Sequence, residues 1–335
     1  MFRPLIIVAC LVIVFAGLKV AASLVVPFLL SVFLTILLSP AFFRLKQAGL
    51  PSPLALVLII AVLAVLCVLA ITVVRASLDQ FIQNLPTYQE RLNQELGTLI
   101  AWLAGHGLED PASIFAEYLN PQFAMSYAGT IARALTGTLG QILLIFIITS
   151  FMLVEAGSFD RKVKAITGDT NAGANHLTRN VQAVRRYVSL KTIMSILTGL
   201  LVSLWLWVLG IENALFMGLL AFFLNYVPNI GSVVAAIPGV LLGLITLGPA
   251  MGIVTAIGYM AINVGVSNVI EPRFIGNELG ISPLIILLSL VFWGWLLGPV
   301  GMLLSVPLTI VVKGILENAE GTKAISILLG SPPKH

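Results

Sequence analysis

Residues 213–270 read NALFMGLLAFFLNYVPNIGSVVAAIPGVLLGLITLGPAMGIVTAIGYMAINVGVSNVI, 58 positions without a single Asp, Glu, Lys or Arg. A transmembrane helix takes about 20 apolar residues to cross about 30 Å of hydrocarbon, so this run is membrane-compatible but too long for one crossing. Gly248-Pro249 divides it into stretches of about 34 and about 20 residues, and the longer would reach about 50 Å as one straight helix. Asn225-Tyr226-Val227-Pro228-Asn229-Ile230-Gly231 stands in its middle. Proline lacks an amide hydrogen, and Gly and Asn accept turn dihedrals, so the spacing predicts a break there.

Leu284–Val312 repeats the design around Trp293-Gly294-Trp295-Leu296-Leu297-Gly298-Pro299-Val300-Gly301. Pro228-x-x-Gly231 is followed by an apolar stretch and Pro238, and Gly298-Pro299-x-Gly301 by one and Pro307. Arms of about 13–15 residues span about 20 Å, less than a bilayer, and predict two re-entrant hairpins. Two broken full spans satisfy the same parity; Arg273 in the intervening loop favours the hairpins on the inside-positive bias.

The remainder of the 335 residues agrees with a membrane chain. Hydrophobic residues make up 59% and charged ones 10%, against roughly 25% charged in soluble domains. That excludes an ordinary soluble enzyme and a disordered chain. Long unbroken apolar runs, rather than short alternating ones, exclude a β-barrel. The fold class is all-α: a polytopic helical membrane protein with two interrupted segments and an external amphipathic insertion. The net charge of +4 resides between apolar runs, which argues for topology signals and against nucleic acid as a partner. Cys10 and Cys67 lie inside apolar runs and predict neither a disulfide nor a metal site. The N-terminal run continues past Lys19 into a second one and reads as a retained membrane segment.

The chain divides into N-terminal membrane helices (1–75), an amphipathic helical segment (76–133), a membrane helix (134–154), a basic helical linker (155–191), a transport core (192–312) and a tail (313–335). The first two helices should form a hairpin near Lys19, the second ending at Ser39-Pro40, and the amphipathic segment should break at Pro86, Pro111 and Pro121. The acidic 76–133 segment contrasts with Arg161, Lys162, Lys164, Arg179, Arg185, Arg186 and Lys191 in the linker. Lys and Arg collect on the cytoplasmic side, which places both termini and the linker inside and the acidic segment outside.

Non-helical backbone at membrane depth is tolerated where it is buried in protein or lines a wet cavity. Asn225, Tyr226, Pro228, Asn229 and Gly231 at the first break, and Pro299 and Gly301 at the second, are therefore either a solute or ion pathway or a structural kink. Asn263 and Ser267 share a helix face beside Asn268, lining a path or bonding neighbouring helices. Glu271 and Arg273 form a candidate gate pair or an ordinary interfacial loop. No Asp or Glu lies deep in a membrane run, which favours a small polar, uncharged solute over a carboxylate relay, with a proton or sodium gradient still able to couple at Glu271. No P-loop, HExxH or Ser/His pairing appears, so neither a cofactor nor an enzymatic reaction is expected.

Phe223–Gly231 with Ile237-Pro238, then Glu271-Pro-Arg-Phe-Ile-Gly-Asn-Glu-Leu-Gly-Ile-Ser-Pro283, then Phe292–Leu308 resemble the AI-2E family of bacterial transporters. The resemblance covers nearly the whole chain, including Pro27, Pro40 and Arg186-Tyr187. It implies a bacterial inner-membrane permease that exports a signal such as autoinducer-2, or alternatively a sodium(lithium)/proton antiporter or ion channel. It further implies homo-oligomers, pentamers among them, embedded in membrane lipid.

Overall fold

A computed structural model describes residues 3–105, 139–158, 171–228, 230–271 and 282–318, and among these there are helices and turns but no strands. Among the described residues, six helical stretches are long and apolar enough to cross a membrane: Ala22–Gln47, Ser52–Asn84, Val181–Val208, Ile230–Leu247, Pro249–Ile270 and Pro299–Glu317. Their apolar surfaces face outward: Val57, Val65 and Val68 are among many exposed aliphatics. Lipid is the solvent that such a surface matches.

α1 (Arg3–Val20) turns at Ala21 into α2 (Ala22–Gln47). α2 does not stop at Pro40. The proline removes the hydrogen bond to the carbonyl four residues back, and the Ser39 hydroxyl donates to that same Ile36 carbonyl at 3.1 Å. Ser31 and Thr35 back-bond in the same way to Pro27 and Ser31. Ser31 also reaches the Ile145 carbonyl of α4 (Leu139–Ala156) at 3.3 Å.

α3 (Ser52–Gly105) is one helix of 54 residues, about 80 Å, and passes through Pro86, where the sequence predicted a break. Its polar side continues the helix beyond the membrane stretch. Tyr88 Oη donates to Glu212 at 2.7 Å, Asn84 donates to the same oxygen at 3.0 Å, and Arg91 donates to the Thr246 carbonyl at 2.8 Å. These bonds fasten α3 to two turns of the core. Burial and the neighbouring Glu212 carboxylate both raise the Tyr88 pKa, so the phenol remains a donor at neutral pH. Pro111 and Pro121 lie outside the described residues.

The core contains α5 (Asn171–Val208), α6 (Ala214–Leu224), α7 (Ile230–Leu247), α8 (Pro249–Val264), a π-helical turn (Gly265–Ile270), α9 (Pro283–Leu297) and α10 (Pro299–Asn318). α6 packs antiparallel to α5, as Ser203 donating to the Ala214 carbonyl and Asn225 donating to Ser195 mark its two ends. The close approach needs Gly199 and Gly218, where a Cβ would meet the facing backbone. α7 returns alongside α6, and α8 runs back again, with Tyr259 against Gly239 and Thr255 against Gly243. α9 and α10 pair antiparallel around Gly298, whose φ of 71° sits in the glycine-favouring region.

Both interrupted segments are thus helical hairpins, and they enter from opposite ends of the bundle. The α6–α7 mouth lies at the Glu212 end and its tip at Asn225. The α9–α10 tip lies by the α1–α2 turn, where Lys19 rests 4.2 Å above the Trp295 ring. Their arms are unequal, unlike the matched half-spans expected: 11 and 18 residues in the first, 15 and 20 in the second. The returning arms, α7 and α10, carry Pro238 and Pro307 inside them.

Candidate functional site

The tip of the first hairpin is built by its own backbone. Asn225 N–H bonds Ala221 O at 2.9 Å, Val227 N–H bonds Leu224 O at 2.9 Å, and Gly231 N–H bonds Val227 O at 3.2 Å. A Cβ on Gly231 would run into the Leu224 carbonyl, so α7 can leave the turn only with glycine there. Gly301 meets the same restriction against the Trp293 carbonyl in the second hairpin.

A cavity of about 460 Å³ lies beneath this tip, where α5, the end of α8, and the mouth of the second hairpin converge. That volume suits a small-molecule site. Asn225, Val227, Pro228 and Ser232 come from the tip, Asn263, Ser267, Asn268 and Glu271 from α8 and its π turn, and Tyr187 and Lys191 from α5. π turns recur at functional sites because the extra residue per turn re-aims side chains. Here the turn lets Ser267, Asn268 and Glu271 all border one space. Ser267 Oγ lies 3.3 Å from Asn263 Oδ1.

Lys191 is the residue the sequence reading passed over. By sequence it is the last member of a basic linker, but α5 runs straight through it, and Lys191 is 5% exposed. Its Nζ lies 3.2 and 3.3 Å from the two Glu271 carboxylate oxygens. A buried ammonium needs such a partner, since each desolvated ion costs several kcal/mol unpaired. The signal was the polar spacing Tyr187, Lys191, Ser195, Thr198, one face of a helix at steps of four and three.

The other expected site residues separate into groups. Asn225, Pro228, Asn263, Ser267, Asn268 and Glu271 are brought together around the cavity. Tyr226 faces elsewhere: its hydroxyl bonds Thr192 Oγ1 at 2.7 Å, and its ring meets Phe33 and Phe222 edge-on. It locks the hairpin tip to α5 and α2. Gly231 shapes the turn, and Pro299 and Gly301 sit at the far tip. That tip is about 18 Å along α9 from Ile286, a cavity residue. Glu271 has Lys191 as an ion-pair partner; Arg273, the partner considered from sequence, and Asn229 lie outside the described residues.

Crossing helices, two hairpins of opposite sense and a polar cavity where they meet are the architecture of an integral membrane transport protein. The chain belongs to the AI-2E transporter family, whose model matches residues 8–321. It is similar to the AI-2 transport protein TqsA of Escherichia coli, 36% identical over 333 residues covering 99% of this chain and 97% of TqsA. A Haemophilus influenzae transport protein is 36% identical over 334 residues, covering 98% of this chain and 96% of its own. The Escherichia coli transport protein YhhT is 34% identical over 322 residues, covering 96% and 92%.

Proposed function

We propose that the chain moves a small polar solute, such as an autoinducer-2-like signal molecule, across the bacterial inner membrane through the cavity beneath the first hairpin tip. The supporting observation is the convergence of Asn225, Asn263, Ser267 and Asn268 on one space at the end of a hairpin. Amide and hydroxyl groups both donate and accept, which suits a hydroxylated solute. The name of TqsA points to the same class of cargo. The test is flux of autoinducer-2 into proteoliposomes, with and without imposed proton and sodium gradients. Saturable, protein-dependent flux is expected, and Asn263→Leu should reduce it at least tenfold. Protein-free background rates would overturn this reading.

A sodium(lithium)/proton antiporter is the second reading, favoured by the Lys191–Glu271 pair at the cavity wall. Ion flux without autoinducer-2 flux in the same vesicles would select it.

Both termini lie in the cytoplasm in this proposal, because Arg44, Lys46 and the basic linker then share the inner side. A cysteine near Asp110 should be labelled by an impermeant thiol reagent in intact cells, and one near Asp169 only after permeabilisation. The opposite pattern would reverse the orientation.

A further inference from the structure

The cavity wall has a charge arrangement that bears on which solutes it accepts. Among the described residues that line it, two are charged, Lys191 and Glu271, and they neutralise each other at 3.2 Å. The polar remainder is amide and hydroxyl: Asn225, Asn263, Asn268, Ser232, Ser267 and Tyr187.

We infer that Lys191 and Glu271 determine the charge class of the solute: paired, they hold the cavity neutral for an uncharged polyol, and either one alone turns it toward an ion of the opposite sign. This rests on the cavity being the solute pathway.

An anionic solute could use Lys191 only by displacing Glu271, leaving a carboxylate without its partner in a partly desolvated wall. A cationic solute meets the mirror-image obstacle. A neutral polyol meets neither, because each hydroxyl can donate to an amide oxygen and accept from an amide nitrogen with the ion pair intact. The geometry supports a stable pair: Lys191 is buried on the rigid α5, and both carboxylate oxygens are within hydrogen-bonding distance of its Nζ. Lys191 also lies within an apolar helix, and an ionisable residue in such a setting marks a solute or ion path by default.

The experiment uses the full chain with Cys10 and Cys67 replaced by Ala and a single reporter, Ser232→Cys, in the cavity wall. Its labelling rates by a cationic and an anionic methanethiosulfonate are measured, each divided by the rate for a free thiol. With the pair intact, the two normalised rates should agree within a factor of about three. Lys191→Met should raise the cationic-to-anionic ratio about tenfold and Glu271→Gln should lower it about tenfold, since one uncompensated charge at short range readily supplies that factor. The double variant should return to the starting ratio. A tenfold bias with the pair intact would overturn the inference without any charge variant having to fold, and so would a ratio unmoved by the single substitutions.

The same four proteins, without the reporter, are then compared in vesicles for flux of erythritol, erythronate and 1-amino-1-deoxyerythritol. The parent and the double variant should prefer erythritol, Lys191→Met the ammonium compound, and Glu271→Gln the carboxylate. Cavity labelling that follows the charges with no flux of any probe would overturn the solute-pathway reading on which the inference stands. Erythritol flux with an unchanged preference in the single variants would overturn the charge role alone.

Discussion

Gly231→Leu should abolish solute flux while leaving the amount of protein in the membrane near wild type. Gly231 is buried at the start of α7, where a Cβ would collide with the Leu224 carbonyl and come within 3.2 Å of Val227 Cβ. The obstruction is backbone, which cannot rotate aside as a side-chain end can. Over-packing a well-filled site costs about 1–3 kcal/mol, and here it can be relieved only by opening the turn that positions Asn225 and Pro228 at the cavity. Leu favours membrane insertion, so a missing protein would not be the reason for lost flux. Gly17→Ala is the control: its Cβ meets nothing within 4 Å, and flux should stay near wild type. Wild-type flux in Gly231→Leu would show that the tip geometry is irrelevant to transport.

The break around Pro228 was legible because three unusual residue types coincide in a run otherwise able to remain helical. Parity alone left hairpins and broken full spans equal, and only the positive Arg273 favoured the hairpins. Arm length was not legible: arms of about 13–15 residues were expected, whereas the hairpins have arms of 11 and 18 and of 15 and 20 residues, with Pro238 and Pro307 inside the returning helices. Pro40 misled in the same manner, because its cost is met by the hydroxyl of the preceding Ser39, a tertiary-independent repair visible only once the helix is built. Pro86 shows the reverse limit, as α3 is held through it by contacts to Glu212 and Thr246, which are more than 120 residues away in sequence. Within the candidate site, the residues on α8 could be found because Asn263 and Ser267 share a face, and the π turn then adds Asn268 to the same wall. Lys191 was hidden by its company. Six other basic residues precede it in the linker, and only the count of helical turns from Tyr187 to Thr198 separates it from them.

The Lys191–Glu271 pair leads to the second large effect. Lys191→Met leaves Glu271 facing an apolar side chain, and breaking a buried ion pair from one side typically costs 3–5 kcal/mol. The Glu271 side chain retains 18% exposure, so water in the cavity can screen part of the loss; about 2–3 kcal/mol is expected. Glu271→Gln strands the less exposed partner, Lys191, at 7%, and should destabilise at least as much. The double variant Lys191→Met/Glu271→Gln leaves no unpaired charge. It should recover much of the loss, giving a coupling of about 1–3 kcal/mol between the two positions. Urea or thermal unfolding of the purified protein in one detergent, with the four proteins side by side, measures this. Arg273→Gln combined with Glu271→Gln provides the comparison, since contacting residues couple whereas residues without a shared contact add within a few tenths of a kcal/mol. Strong coupling to Lys191 is the expected result. If the larger coupling fell instead on Arg273, the gate pair considered from sequence would replace Lys191 as the partner of Glu271. Additivity at both positions would mean that Glu271 is stabilised by cavity water rather than by either cation.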